Sequence, residues 1–201
     1  PKFQSFGVQT VDTFRWRRFN LENLGNVPLQ FSASLIGRDA TSFKIGNSCR
    51  SPLAVGQTCS FVLFFHPMTV GDKAAQLRVV VGDDVRDRPL SGTGVPGSFT
   101  VTPTSIAFGG IAIGSASDAR IVTVTNTGQG LLPIESVRLD GARPGQFVRV
   151  SGCEMALRAG ESCHVTIYFV PKLKGPLSAL LVIDAGGLTE PKSATLTGKG
   201  L

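Results

Sequence analysis

Apolar and polar residues alternate over short stretches of this chain, and no amphipathic helix of useful length interrupts them. Phe61, Leu63 and Phe65 fall on one face of an extended run, and Val165, Ile167 and Phe169 do the same about a hundred residues later. Side chains on a strand point to opposite faces in turn, so each run reads as a half-buried strand. Each ends at a proline, Pro67 or Pro171, which cannot continue a hydrogen-bonded ladder. A glycine turn at Gly71 or Gly175 follows. The next apolar runs, Ala75-Gln-Leu-Arg-Val and Ala179-Leu-Leu-Val-Ile, then read as the second arms of hairpins. Earlier in each half a strand runs into Asn23-Leu24-Gly25 or Asn126-Thr127-Gly128, where Asn and Gly suit the positive φ angles of a tight turn. Another strand begins at Leu29 or Leu132, and Leu90-Ser-Gly-Thr-Gly or Leu196-Thr-Gly-Lys-Gly closes each half. About seven short strands per half, with turn signals between them, predict two immunoglobulin-like β-sandwiches in an all-β chain.

The halves are copies of one pattern. A shift of 104 residues superposes Cys49 and Cys59 on Cys153 and Cys163, together with Gly37 on Gly141, Phe43 on Phe147, Gly56 on Gly160, Phe65 on Phe169, Pro67 on Pro171 and Gly71 on Gly175. Upstream the register shortens by one residue, placing Asn23 on Asn126 and Gly25 on Gly128. Downstream it lengthens by two, placing Leu90 on Leu196 and Gly92 on Gly198. The expected domains are residues 1–95 and 96–201, with Gly92-Thr-Gly-Val-Pro-Gly97 as a linker joining two sandwiches end to end. With 201 residues and 42% apolar content, the chain is long enough for one core in each half.

The cysteines carry most of the chemistry. Each copy has two, ten positions apart, with a glycine between them and a strand starting after the second. Four cysteines permit three pairings, and the repeat selects the local one, Cys49 with Cys59 and Cys153 with Cys163. Zinc is the competing reading. It wants four ligands, whereas each copy offers two cysteines and one histidine, His66 or His164, at positions that are not equivalent. Disulfides imply an oxidising compartment: outside the cell, at its surface, or in the periplasm. The sequence shows no transmembrane segment and no signal-like leader. Its start at Pro1 reads as a removed leader or a piece of something longer.

A formal charge of +6 is spread without a dense basic stripe, which argues against nucleic acid as a partner. The one cluster, Arg15, Arg17 and Arg18 around Trp16, divides between the two faces of a strand. The usual catalytic motifs are missing from the sequence, and Asp83 and Asp84 read as a turn. Neither a cofactor nor a metal is expected, and the chain reads as non-enzymatic.

The ordered series Phe108-Gly109, Val122-Thr-Val-Thr-Asn-Thr-Gly128, Phe147, the cysteine pair, Phe169-Val-Pro171, Gly175 and Leu196-Thr-Gly198 resembles the Hydin-type, or abnormal-spindle-type, immunoglobulin-like repeats. Relatives of these include repeats of bacterial choice-of-anchor D proteins. The resemblance implies a sandwich related to major sperm protein and pilus-chaperone domains, used as an interaction or spacer module, and it brings no catalytic residues. The first copy departs from it twice. Only five residues precede Phe6, whereas the second copy has Ser98-Phe-Thr-Val-Thr-Pro103 ahead of Phe108, so the first strand of copy one is expected to be incomplete and a sheet edge open. Val62 and Phe64 also fall beside Phe14 and Trp16 on a face that an isolated domain would make polar.

These features point to a structural or interaction module of a bacterial surface or filamentous assembly, with protein partners that include copies of itself joined by strand addition. Phe14, Trp16, Val62 and Phe64 are the expected contact residues. Two other readings compete. One is an adhesin-like module binding polysaccharide or protein, with Trp16, Phe14 and Tyr168 as stacking platforms. The other is a periplasmic assembly chaperone, for which a pair of basic residues between the domains is missing.

Overall fold

In a computed structural model, which describes residues 4–47, 49–188 and 190–201, the chain divides into two compact units, Pro1–Val95 and Pro96–Leu201. Among the described residues all regular structure is β apart from two single 3-10 turns. The first unit contains β1 (Gln4–Thr10), β2 (Arg15–Glu22), β3 (Ser32–Ile36), β4 (Phe43–Asn47), β5 (Thr58–Phe65), β6 (Gly71–Val81) and β7 (Asp84–Val95). They form a four-stranded sheet in the order β1-β7-β6-β3 and a three-stranded sheet in the order β2-β5-β4. The second unit contains β8 (Phe99–Thr102), β9 (Ser105–Ile111), β10 (Arg120–Asn126), β11 (Leu132–Asp140), β12 (Phe147–Ser151), β13 (Ala156–Leu157), β14 (Ser162–Phe169), β15 (Gly175–Ala185) and β16 (Lys192–Gly200). Its sheets run β13-β11-β15-β16-β9 and β12-β14-β10-β8. Each unit is thus an immunoglobulin-like sandwich of two sheets closed over one interior.

Three phenylalanines join the sheets in each unit. Phe6 on one sheet meets Phe43 and Phe65 on the other at ring-centroid distances of 5.7 and 5.8 Å, and Phe43 lies 5.0 Å from Phe65. Phe108, Phe147 and Phe169 repeat the arrangement at 5.8, 5.9 and 5.0 Å. The glycine of the closing Leu-x-Gly motif answers this packing. A Cβ on Gly92 or Gly198 would collide with the ring carbons of Phe65 or Phe169, so the strand can pass the ring only without a side chain there.

Three expectations from the sequence are corrected. β5 and β6 do not form a hairpin: β5 pairs with β2 and β4, whereas β6 pairs with β3 and β7 in the opposite sheet. Phe65 and Leu77 both point into the interior, so the chain after Pro67 crosses from one sheet to the other, turning at Gly71 with φ of 104°. The hairpin in this region is β6–β7, closed at Gly82 and Asp83, which lie between Val81 and Asp84. Residues Gly92–Val95 are the end of β7 and not linker, because they pair with Gly71–Lys73 and with β1. The connection between units is residues 96–98.

Gly25 and Gly128 are likewise not at positive φ. The Asn-x-Gly motif works through the asparagine side chain. Asn126 is buried, its Nδ2 donates to the carbonyls of Gly130 and Leu157 at 2.9 Å each, and its Oδ1 accepts from the Gly128 amide at 2.9 Å. Asn23 does the same with Val27, Leu53 and Gly25. Glycine follows because a Cβ there would crowd that amide oxygen, at 3.2 Å for Gly25 and 3.3 Å for Gly128. Each asparagine therefore fastens the end of β2 or β10 to the loop that the two cysteines close.

Those loops are stapled: Cys49 is bonded to Cys59 and Cys153 to Cys163, with Cα separations of 5.1 and 5.2 Å. The bonds use both cysteines of each candidate zinc set.

Three aspartates hold the strand margins. The Ala74 amide, and beside it Arg38, holds the Asp39 carboxyl below the usual carboxylate range. A bidentate Arg78 lowers Asp87, and the Ser136 hydroxyl followed by Arg138 lowers Asp184.

Three measurements check this account. Asn126→Ala leaves two buried carbonyls and an amide without their partner and should destabilise the second unit by about 2–4 kcal/mol in urea unfolding. Cys153→Ser opens a short loop and should cost about 2–3 kcal/mol in the same assay. The lowered carboxyls contribute stability that is present above the unfolded aspartate pKa of about 3.9 and lost as pH falls through their folded values. Melting temperature should therefore decline below about pH 4, and Asp87→Asn should reduce the decline in the first unit.

Candidate interaction surface

The outer face of the β2-β5-β4 sheet gathers the contact residues expected from the sequence. Cross-strand register sets Trp16 opposite Phe64 and Arg18 opposite Val62. Phe14 joins them, its ring meeting that of Phe64 edge-on at 6.0 Å and 69°. Phe14 is 63% and Trp16 52% exposed, which is unusual for aromatic side chains on a small isolated sandwich. Val62 and Phe64 are half-buried between their neighbours. Phe14 and Phe64, with Thr41, Phe43, Lys44 and His66, line a shallow depression of about 370 Å³. Lys44 sits opposite Phe64 on β4, and His66 Nε2 lies 3.3 Å from Asp12 Oδ1 at the rim. Apolar centre and charged rim are the composition of a protein contact patch.

Arg15 turns away from this face and donates from Nη1 to the Phe6 carbonyl at 3.0 Å. Arg15, Arg17 and Arg18 therefore form no joint clamp. His164 Nδ1 lies 3.2 Å from the Thr123 hydroxyl on the exposed outer surface of the other unit. Asp84 accepts from Arg86 Nε and Nη2 at 3.0 and 2.8 Å, so the acidic turn is tied to its own strand. Among the described residues no group of three metal-ligating side chains comes together.

The second unit has its own apolar outer surface, with Ile121, Val148 and Val150 each about half exposed. Sequence reasoning missed this patch and the Lys44 and His66 rim. Strand alternation alone places Val148 and Val150 outward once Phe147 is set inward, so the signal was present. The rim needs the β4–β5 register, which no local pattern supplies.

No family model matches the chain, and no curated protein matches it. Solved structures that resemble it include the PapD-like (ASH) domain 7 of human CEP192, at 17% identity and TM-score 0.40, covering 51% of this chain and 84% of that one. The S-layer protein SbsC, domains 4 and 5, matches at 13% identity and TM-score 0.37, covering 85% and 77%. The secreted serine protease VesC of Vibrio cholerae matches at 14% identity and TM-score 0.36, covering 83% of this chain but only 45% of that one. Likeness at this level says nothing of activity or partners.

Proposed function

We propose that this chain is a non-enzymatic structural and interaction module of an extracellular or cell-surface assembly, a pair of Hydin-type immunoglobulin-like repeats of the kind found in bacterial surface proteins. The observation that carries the reading is the aromatic patch of Phe14, Trp16 and Phe64, with Val62, on the outer face of a sheet whose inner face already fills the core. Aromatic side chains at such exposure are costly unless a partner covers them, and large aromatics dominate protein interfaces. The two disulfides suit an oxidising compartment, and among the described residues no helix is long and apolar enough to cross a membrane.

The partner is a protein surface, with a second copy of this chain as the first case to test. The edge-on geometry of Phe14 and Phe64 favours interdigitation with apolar side chains over stacking on a flat sugar ring, which needs an open face. The patch lies outside the buried core cluster of its unit, so it can be altered without replacing a core side chain.

Phe64→Glu should weaken self-association by roughly tenfold or more in sedimentation equilibrium, as loss of a central aromatic anchor does. A strictly monomeric wild-type protein at high concentration removes the self-contact, and a glycan array signal lost in Phe64→Glu would replace the protein partner with polysaccharide.

A further inference from the structure

The sheet that bears the aromatic patch has a counterpart in the second unit with the same cross-strand register. In the first unit two outward rows run across β4, β5 and β2, one of Lys44, Phe64 and Trp16, the other of Gly46, Val62 and Arg18. In the second unit β12 and β14 set Val148 opposite Tyr168 and Val150 opposite Thr166, and Thr166 faces Ile121 on β10. The repeat places Lys44 on Val148 and Arg18 on Ile121. Each cation of the first face is thus an apolar side chain on the second. Ile121, Val148 and Val150 are about as exposed as Trp16, so the second face is also apolar and uncovered.

Charge decides which faces can meet. Lys44 and Arg18 are exposed, and among the described residues neither is paired with a carboxylate. Of the acids on that face, Asp12 is held by His66, and Glu22 stands about 13 Å along β2 from Arg18, away from the rings. Two copies meeting through this face alone would gather four unpaired cations around one apolar centre, a desolvation cost that no opposite charge offsets. The outward positions of β8, β10, β12 and β14 carry no Lys, Arg, Asp or Glu. They present instead the hydroxyls of Thr123, Thr166 and Tyr168 and the tyrosine ring, all of which accept an ammonium or guanidinium group. Pairing two second-unit faces would leave Phe14 and Trp16 bare. Pairing one face of each kind covers both apolar centres and gives the cations acceptors.

We infer that the outer face of β2-β5-β4 on one copy packs against the outer face of β12-β14-β10 on another copy of this chain. This rests on reading the chain as an interaction module and names the surface that its aromatic patch meets. Both faces share one strand register, which suits the aligned packing of sheet on sheet. Each copy carries one face of each kind, so the joints add head to tail or close in a reciprocal pair. Strand length and spacing give each face about 25 by 14 Å. One joint therefore buries less than about 1,200 Å² in total, the range of transient contacts, and association belongs at high concentration.

The test is sedimentation velocity of the whole chain from roughly 10 μM to 1 mM, where contacts of this size are populated. The wild type should associate as concentration rises. Trp16→Glu removes the anchor of the first face, and Val148→Lys sets a cation on the second against Lys44 and Arg18, so each variant alone should stay monomeric. Mixed one to one, the two variants retain one intact face of each kind and should form a dimer and nothing larger, which also shows that both are folded. Val148→Glu offers the same cations a carboxylate and should associate up to roughly tenfold more tightly than the wild type. A mixture that stays monomeric where the wild type associates would overturn the contact, as would a wild type monomeric at the highest concentration. Weakening by Val148→Glu equal to that by Val148→Lys would overturn the pairing by charge. Association lost in Trp16→Glu but kept in Val148→Lys would overturn the second-unit face as the partner surface and leave the outer-face reading, tested at Phe64, standing.

Discussion

Contact between three phenylalanine rings across the sandwich is the interaction on which each unit depends. Phe65 and Phe169 belong to the central strand of one sheet, and they reach the opposite sheet through Phe6 and Phe108 on its parallel edge strand. Burying a phenylalanine contributes about 1.5–3 kcal/mol, and ring pairs add to that. Most other repeated features follow from making room for this cluster. Gly92 and Gly198 let the closing strand pass over a ring. Pro67 and Pro171 stop the central strand just beyond it, so that the chain can cross to the other sheet. The crossing is pinned by backbone bonds from Asp12 to the Pro67 carbonyl and from Gly114 to that of Pro171, both 2.9 Å.

Around that shared centre the two copies have been finished differently. The second core closes over small apolar residues at positions such as Ala194, whereas the first places Arg88 in the corresponding position, its guanidinium 4.5 Å from the centre of the Phe19 ring. Its outer face is also the more aromatic. The aromatic face lies on the sheet of β2, β5 and β4, and Arg88 on β7 of the opposite sheet. Copies of one fold thus keep the same centre while differing in core and surface.

The fold was legible in the sequence because period-two alternation and punctuation by glycine and proline are local signals. Phe61, Leu63 and Phe65 face inward as their spacing requires, and the repeat doubled every observation. What the sequence misassigned was long-range. Whether β5 returns onto β6 or crosses to the other sheet depends on which partner covers each apolar face, which no run of residues states. Asn23-Leu24-Gly25 was misread for a related reason: a buried amide reaching Leu53, 30 residues away, looks the same in sequence as a turn. Of the outer apolar patch, the placing of Phe14, Trp16, Val62 and Phe64 on one face was legible by alternation. Arg88 and the Lys44 rim were not, because their meaning comes from strands remote in the chain.

In the first unit β1 and β7, the first and last strands, lie side by side and run parallel. Tension entering at the front of β1 and leaving at the back of β7 would try to slide one along the other, loading the whole ladder between them at once. Such a joint yields far less readily than one peeled open bond by bond, and the stapled loop lies outside the line of pull. Parallel pairing of the closing strand recurs between β16 and β9, so in each unit that contact would meet an axial pull in shear.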